Sequence, residues 1–184
     1  MAWPPALPHA AHLVLRDAAV PACLLDAGAA AVTAGRDGLS RVDIEVLDGR
    51  IARVAAAGAA PPSAGAATVV LDGAQAWPGF VDVHTHLDKG HIWPRAENAD
   101  GTFAGALAAA GADRTARWTA EDVAARMSFG LRAAYAHGTV AIRTHLDSAA
   151  PQHRISWPLF AALREEWRGR IDLQAASILL LEHF

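Results

Sequence analysis

Apolar and polar positions along this chain follow two different rhythms, and the change falls near Pro78. Over residues 12–77 the apolar residues come in short runs broken by turn residues. Val42, Ile44 and Val46 alternate with the acidic Asp43 and Glu45, the period-two pattern of a half-buried strand. Asp48-Gly49 then supplies a hairpin signal, and residues 50–54 read as the partner strand. Residues 12–16 and 68–71 are two further strands, the second closed by Asp72-Gly73. Between the strands at 50–54 and 68–71, residues 55–67 are rich in Ala, Gly and Pro and read as a surface loop, with compositional drift in an alanine-rich chain as the alternative.

After Trp77-Pro78-Gly79 the pattern turns to alternating strands and helices. An apolar strand over 80–83 runs into His84-Thr85-His86, and an irregular segment follows to Gly101. Residues 103–110 suit a short helix. Thr119 and Asp122 form a capping-box signal for a longer helix, with Val123, Met127, Leu131 and Ala134 on one face and Gly138 at its end. A buried strand over 139–142 ends in Arg143-Thr144-His145. Ser156 then caps a helix reaching Trp167, and a third strand lies within residues 171–181. Strand, helix, strand, helix, strand implies an α/β fold with parallel strands and right-handed crossovers. Three strands close no barrel, and a parallel sheet must be covered on both faces. The sequence therefore reads either as a small three-layer fragment or as a fold lacking its second half.

Composition narrows the function classes. The chain has 184 residues, a formal net charge of -3 and a pI near 6.3. No basic stripe is available to neutralise phosphates, so nucleic acid is not expected as a partner. Cys23 is the single cysteine, which excludes an intrachain disulfide and a cysteine-based zinc site. The N-terminal residues lack a signal-peptide pattern, and no apolar run approaches the roughly 18 residues a membrane helix needs. A cytoplasmic protein with no membrane association is the expectation.

The chemistry concentrates at the strand ends. Side chains alternate faces in a strand, so His84 and His86 share one, and two imidazoles at that spacing can reach one cation at about 2.0–2.1 Å. Two solvated histidines are the alternative, weakened by the apolar strand before them. His145 also follows an apolar run and is a candidate third ligand, read here as facing the substrate or supporting the metal residues. Arg143, His145 and Asp147 share a face by alternation, and an Arg143–Asp147 ion pair is the structural alternative to a role in a cavity. Asp88 and Lys89 directly follow the histidine pair and are candidates for lining the pocket.

Three segments together carry a family resemblance: His84-Thr85-His86-Leu87-Asp88-Lys89, Gly101-Thr102-Phe103, and Gly138 through Arg143-Thr144-His145-Leu146-Asp147. In this order and at these separations they resemble the amidohydrolase superfamily, and within it the cytosine deaminase branch. The resemblance implies a (β/α)8 TIM-type barrel, incomplete in this chain and begun by residues 78–184, with residues 1–77 as part of a small β-sandwich. It implies one divalent metal, zinc or iron, with His84 and His86 as the first two ligands. It also implies hydrolytic deamination of cytosine or a related pyrimidine or triazine amidine, a small nitrogen heterocycle in each case. The remaining ligands and the acid–base residue are implied on later strands, beyond Phe184. One departure stands out, because Leu180 falls where cytosine deaminases carry a base-binding glutamine, and leucine cannot hydrogen-bond. A cyclic amide or amidine hydrolase is the alternative within the superfamily, and an inactive truncated remnant the alternative outside it. The 184 residues alone are expected to be poorly stable and inactive; a homo-oligomer is compatible with the sequence.

Overall fold

The computed structural model describes residues 7–26 and 33–179. The chain divides into two compact units, Met1–Pro78 and Gly79–Phe184.

The first unit is a four-stranded mixed sheet. Its strands are β1 (His12–Pro21), β2 (Leu39–Leu47), β3 (Arg50–Ala56) and β4 (Ala67–Val70), in the order β3-β2-β1-β4. β2 and β3 form the hairpin that Asp48-Gly49 foretells; both turn residues have positive φ, 49° and 75°, as a two-residue turn of matching twist requires. β4 runs parallel to β1. β1 is twice as long as its sequence pattern shows, because a bulge between Leu15 and Ala18 resets the alternation. Asp17 sits in that bulge with φ 57° and pairs with Arg41 of β2. Ala18, Val20 and Val42 form the buried centre, with Ile44, Val54 and Leu71 packed against it.

The second unit is a parallel sheet, β5 (Phe80–Thr85), β6 (Thr139–Asp147) and β7 (Asp172–Ile178), in the order β5-β6-β7. Three helices connect the strands: α1 (Phe103–Arg117), α2 (Ala120–Ala136) and α3 (His153–Glu166). α2 starts where its cap predicts, with the Thr119 hydroxyl accepting from the Asp122 amide at 3.2 Å. It ends before Gly138, whose φ of 85° suits glycine and whose carbonyl accepts from Phe80 N at the start of β5. Val123, Met127 and Leu131 of α2 are fully buried against Ile142 and Leu146 of β6, Phe160 and Leu163 of α3, and Trp118, Trp167 and Leu173. This core covers one face of the sheet.

Two expectations need correction. Helix α1 runs to Arg117, well past residue 110, because Leu107 and the alanines around it continue a helix that propensity favours even with little apolar face. Ser156 does not cap α3. The helix starts three residues earlier, after Gln152, and Ser156 lies buried inside it. Its hydroxyl is drawn to a carboxylate from the loop after β5 rather than to its own helix.

Candidate active site

β5 delivers His84 and His86 to the C-terminal end of the parallel sheet, where an α/β fold gathers its functional groups. The two imidazole centroids lie 5.3 Å apart. β6 brings His145 alongside, 4.2 Å from His84 and 5.6 Å from His86, so three imidazoles converge at one strand end. His84 is solvent-exposed, whereas His86 and His145 are half-buried.

The second histidine is held by its neighbours. With its Nδ1 carrying the proton, His86 donates to the backbone carbonyl of His145 at 3.1 Å, which leaves Nε2 with a free lone pair. Burial holds the His86 imidazole below its ordinary pKa, and Lys89 and His84 push the same way; the His145 carbonyl and Asp88 oppose them. A neutral imidazole with a fixed tautomer is the form that ligates a metal. His145 Nδ1 is buried and has no hydrogen-bond partner among the described residues. The donors therefore fit two ligands of a divalent cation. Among the described residues no set of three or more His, Cys, Asp or Glu side chains is arranged to hold one.

The loop after β5 is fastened to the rest of the unit at four points. Leu87 N donates to the Thr144 hydroxyl at 3.0 Å. Asp88 is fully buried, and its Oδ2 accepts from Asp147 N and from the Ser156 hydroxyl, both at 2.9 Å. Arg126 of α2 donates to the Asp88 and Gly90 carbonyls. Lys89 donates to Asp147 Oδ1 at 2.9 Å. Burial raises the Asp88 pKa, and the hydrogen bonds from Asp147 N and Ser156 pull it back. Asp88 thus ties β5, β6 and α3 together directly behind the histidines.

The sequence candidates divide accordingly. His84, His86 and His145 come together, as do Asp88, Lys89 and Asp147. Arg143 does not join them, nor does it pair with Asp147. It is exposed and donates to Gln174 of β7, its neighbour in register, at 2.8 Å. Asp147 instead takes Lys89 on one oxygen and Arg114 of α1 on the other, at 2.9 Å each. Leu180 lies outside the described residues.

Sequence reasoning missed Arg114, Arg126, Thr144 and Ser156. Arg126 carried a readable signal: it stands three residues after Val123 and beside Met127, on the buried stripe of α2, where an arginine requires an acceptor. It also bridges to Asp122, which Arg95 holds together with Asp113. Arg95 and then Arg126 keep the Asp122 carboxyl at about 2 against burial.

No family model matches the chain. A curated pterin deaminase of Rhizobium rhizogenes is 51% identical over 175 residues, which is 95% of this chain and 39% of the relative. The chain resembles the amidohydrolase-superfamily deaminases. Among solved structures, N-isopropylammelide isopropylaminohydrolase from Burkholderia multivorans is 28% identical with a TM-score of 0.63, over 94% of this chain and 40% of that one. A 5-methylcytosine deaminase from Klebsiella pneumoniae, at 24% identity and a TM-score of 0.66, shares the fold over 90% of this chain and 36% of its own. The amidohydrolase-like chain thus spans about two fifths of the length of these relatives. No described helix is long and apolar enough to cross a membrane.

Proposed function

We propose that this chain forms the metal-binding opening of a hydrolase that deaminates a 2-amino-pyrimidine ring of the pterin type. The observation that carries the reading is the meeting of His84, His86 and His145 at the C-terminal end of a parallel sheet, in a chain 51% identical to a pterin deaminase. In this reading residues 78–184 begin a (β/α)8 barrel, and residues 1–77 contribute to a β-sandwich.

His84 and His86 would hold one zinc or iron ion, the borderline metals that imidazole suits. A bound cation of this kind supplies Lewis acidity, lowering the pKa of water so that a hydroxide-like nucleophile is available near neutral pH. The chain's own residues prepare the site for it. The His145 carbonyl fixes the proton of His86 at Nδ1 and so aims Nε2 outward. Asp88 locks the backbone that follows, so the pair of rings keeps one geometry as substrate enters. The overall change is replacement of the ring C–NH2 by C=O, with water consumed and ammonia released.

The likeness to N-isopropylammelide isopropylaminohydrolase favours a second reading, in which a substituted amine leaves rather than ammonia. One assay separates the two. The full-length protein, loaded with zinc or iron, is given pterin, cytosine and an N-alkylated aminotriazine, and the released amine is identified. Ammonia from pterin supports deamination; alkylamine from the triazine with no turnover of pterin moves the assignment to the second reading. Turnover of neither rejects both.

A further inference from the structure

Arg126 lies on the buried stripe of α2, and its guanidinium ends on the backbone that follows the histidine pair. The residue is 7% exposed, and an arginine tolerates such burial only where its nitrogens find acceptors. All three nitrogens do. Nε and Nη2 donate to Asp122 Oδ2, one turn back on the same helix, at 3.0 and 2.8 Å. Nη1 donates to the carbonyls of Asp88 and Gly90. The Trp118 ring covers the guanidinium, its centroid 4.9 Å away.

Those two carbonyls belong to a turn that begins at His86 itself, whose own carbonyl accepts from Gly90 N at 3.1 Å. Helix α2 comes close to this turn: a Cβ added at Gly130 would lie 3.1 Å from Leu87 Cδ2. The carboxylate that aims Arg126 is anchored in its turn. Arg95 donates through Nη1 and Nη2 to the two oxygens of Asp122, at 2.5 and 2.9 Å. Its Nε and Nη2 reach the two oxygens of Asp113 of α1, at 2.8 and 2.9 Å. Asp113 is buried and also accepts from the Trp118 indole at 2.9 Å. Two carboxylates and two guanidinium groups therefore alternate from α1 to the turn after His86, with their charges balanced. A single exposed ion pair holds little, whereas forked guanidinium–carboxylate pairs in a network fix geometry.

Pairing two loop carbonyls takes only a donor, and water would serve. An arginine aimed by a charge-balanced chain delivers that donor at a fixed place. We infer that Arg126 is a positioning residue for the metal site: it fixes the turn after His86, and with it the direction in which the His86 ring meets the cation. The chain of Asp122, Arg95 and Asp113 fixes Arg126. The inference rests on the reading that His84 and His86 ligate a metal. Groups that hold a metal's ligands in place are worth about 10–100-fold in metal affinity or activity.

The test uses the full-length protein with the variants Arg126→Met, Arg126→Lys and Leu163→Ala, the last of which weakens the same core from α3 with no polar bond to the turn. Zinc affinity is measured by competition with a chelator, the visible spectrum with cobalt(II) in place of zinc, and kcat and KM on pterin. Arg126→Met should weaken zinc binding about 10–100-fold, change the cobalt spectrum, and lower kcat more than it raises KM. Arg126→Lys should regain part of each. Leu163→Ala should unfold at lower urea yet keep the zinc affinity and cobalt spectrum of the wild type. Wild-type zinc affinity and cobalt spectrum in Arg126→Met, or an equal weakening in Leu163→Ala, overturns the inference. If Arg126→Met does not fold, Asp122→Asn, which removes the charge that aims Arg126, should weaken zinc binding in the same sense; an unchanged affinity overturns the inference. If pterin is not deaminated, the proposed function fails, and the zinc and cobalt measurements still decide the role of Arg126. A wild type that binds no metal overturns both.

Discussion

At the scale of single residues, Asp88 is the side chain whose environment is most unusual. A fully buried carboxylate holds two donors with one oxygen, while its other oxygen has no partner among the described residues. Replacing it by alanine strands both the Asp147 amide and the Ser156 hydroxyl, and each buried donor left unpaired costs about 1–3 kcal/mol. Asp88→Ala is therefore expected to destabilise the protein by about 2–6 kcal/mol in urea unfolding. Asp88→Asn keeps an acceptor for both donors and should cost clearly less. Equal losses for the two variants would show that the charge, not the acceptor, matters. Asp88 was legible in the sequence as a neighbour of the histidine pair, but its role was not. That role depends on Ser156, 68 residues away, and no local pattern connects the two.

Elements tell a similar story, with α2 the clearest case. Its cap, its apolar stripe and its terminal glycine were all written in consecutive residues, and the helix lies within a residue or two of that reading. Local signals suffice there because each one acts within four residues. Met127 is fully buried at the centre of the core between α2, α3 and β6, so Met127→Ala should cost about 2–5 kcal/mol. Thr119→Ala, which removes only the cap, should cost about 0.5–2 kcal/mol. Thermal unfolding of the two variants ranks them; a larger loss for the cap than for the core would contradict this packing. β1 and α3 were read less well for one shared reason. In each, the chain departs from regular pattern where a tertiary partner intervenes, Arg41 for Asp17 in the β1 bulge and Asp88 for Ser156 inside α3. The site followed the same rule. The histidines came from strand alternation, whereas Arg114 reaches Asp147 from a different helix and left no trace in either segment.

For the whole molecule, the two compact units respond to different stresses. In the first, Glu45 gathers the Ser63 hydroxyl, His12 and Arg53, and these hold its carboxyl at about 2 rather than 4.5. A depressed carboxylate pKa adds stability that is complete above the unfolded value and is lost as pH falls through the folded one. The β-sheet signal of this unit is thus expected to weaken between about pH 4.5 and 2. Glu45→Gln should lower stability at pH 7 and flatten that acid dependence; a variant with unchanged acid sensitivity would assign the effect to other groups. In the second, the loop after β5 is bonded to β6 and α3. This unit's alternation of strands and helices with parallel pairing was readable from the chain, because hydrophobic period reports element type directly. A closed barrel was read only through resemblance, since the described sheet of the second unit has three strands.

The central claim is that His84 and His86 bind the metal that makes this chain part of a deaminase. Metal content and ammonia release from pterin, measured together on the full-length protein and its His86→Ala variant, test it most directly. About one zinc or iron per chain with ammonia released, and loss of both in the variant, is the expected result. A variant that keeps the full metal content and its activity would contradict the account.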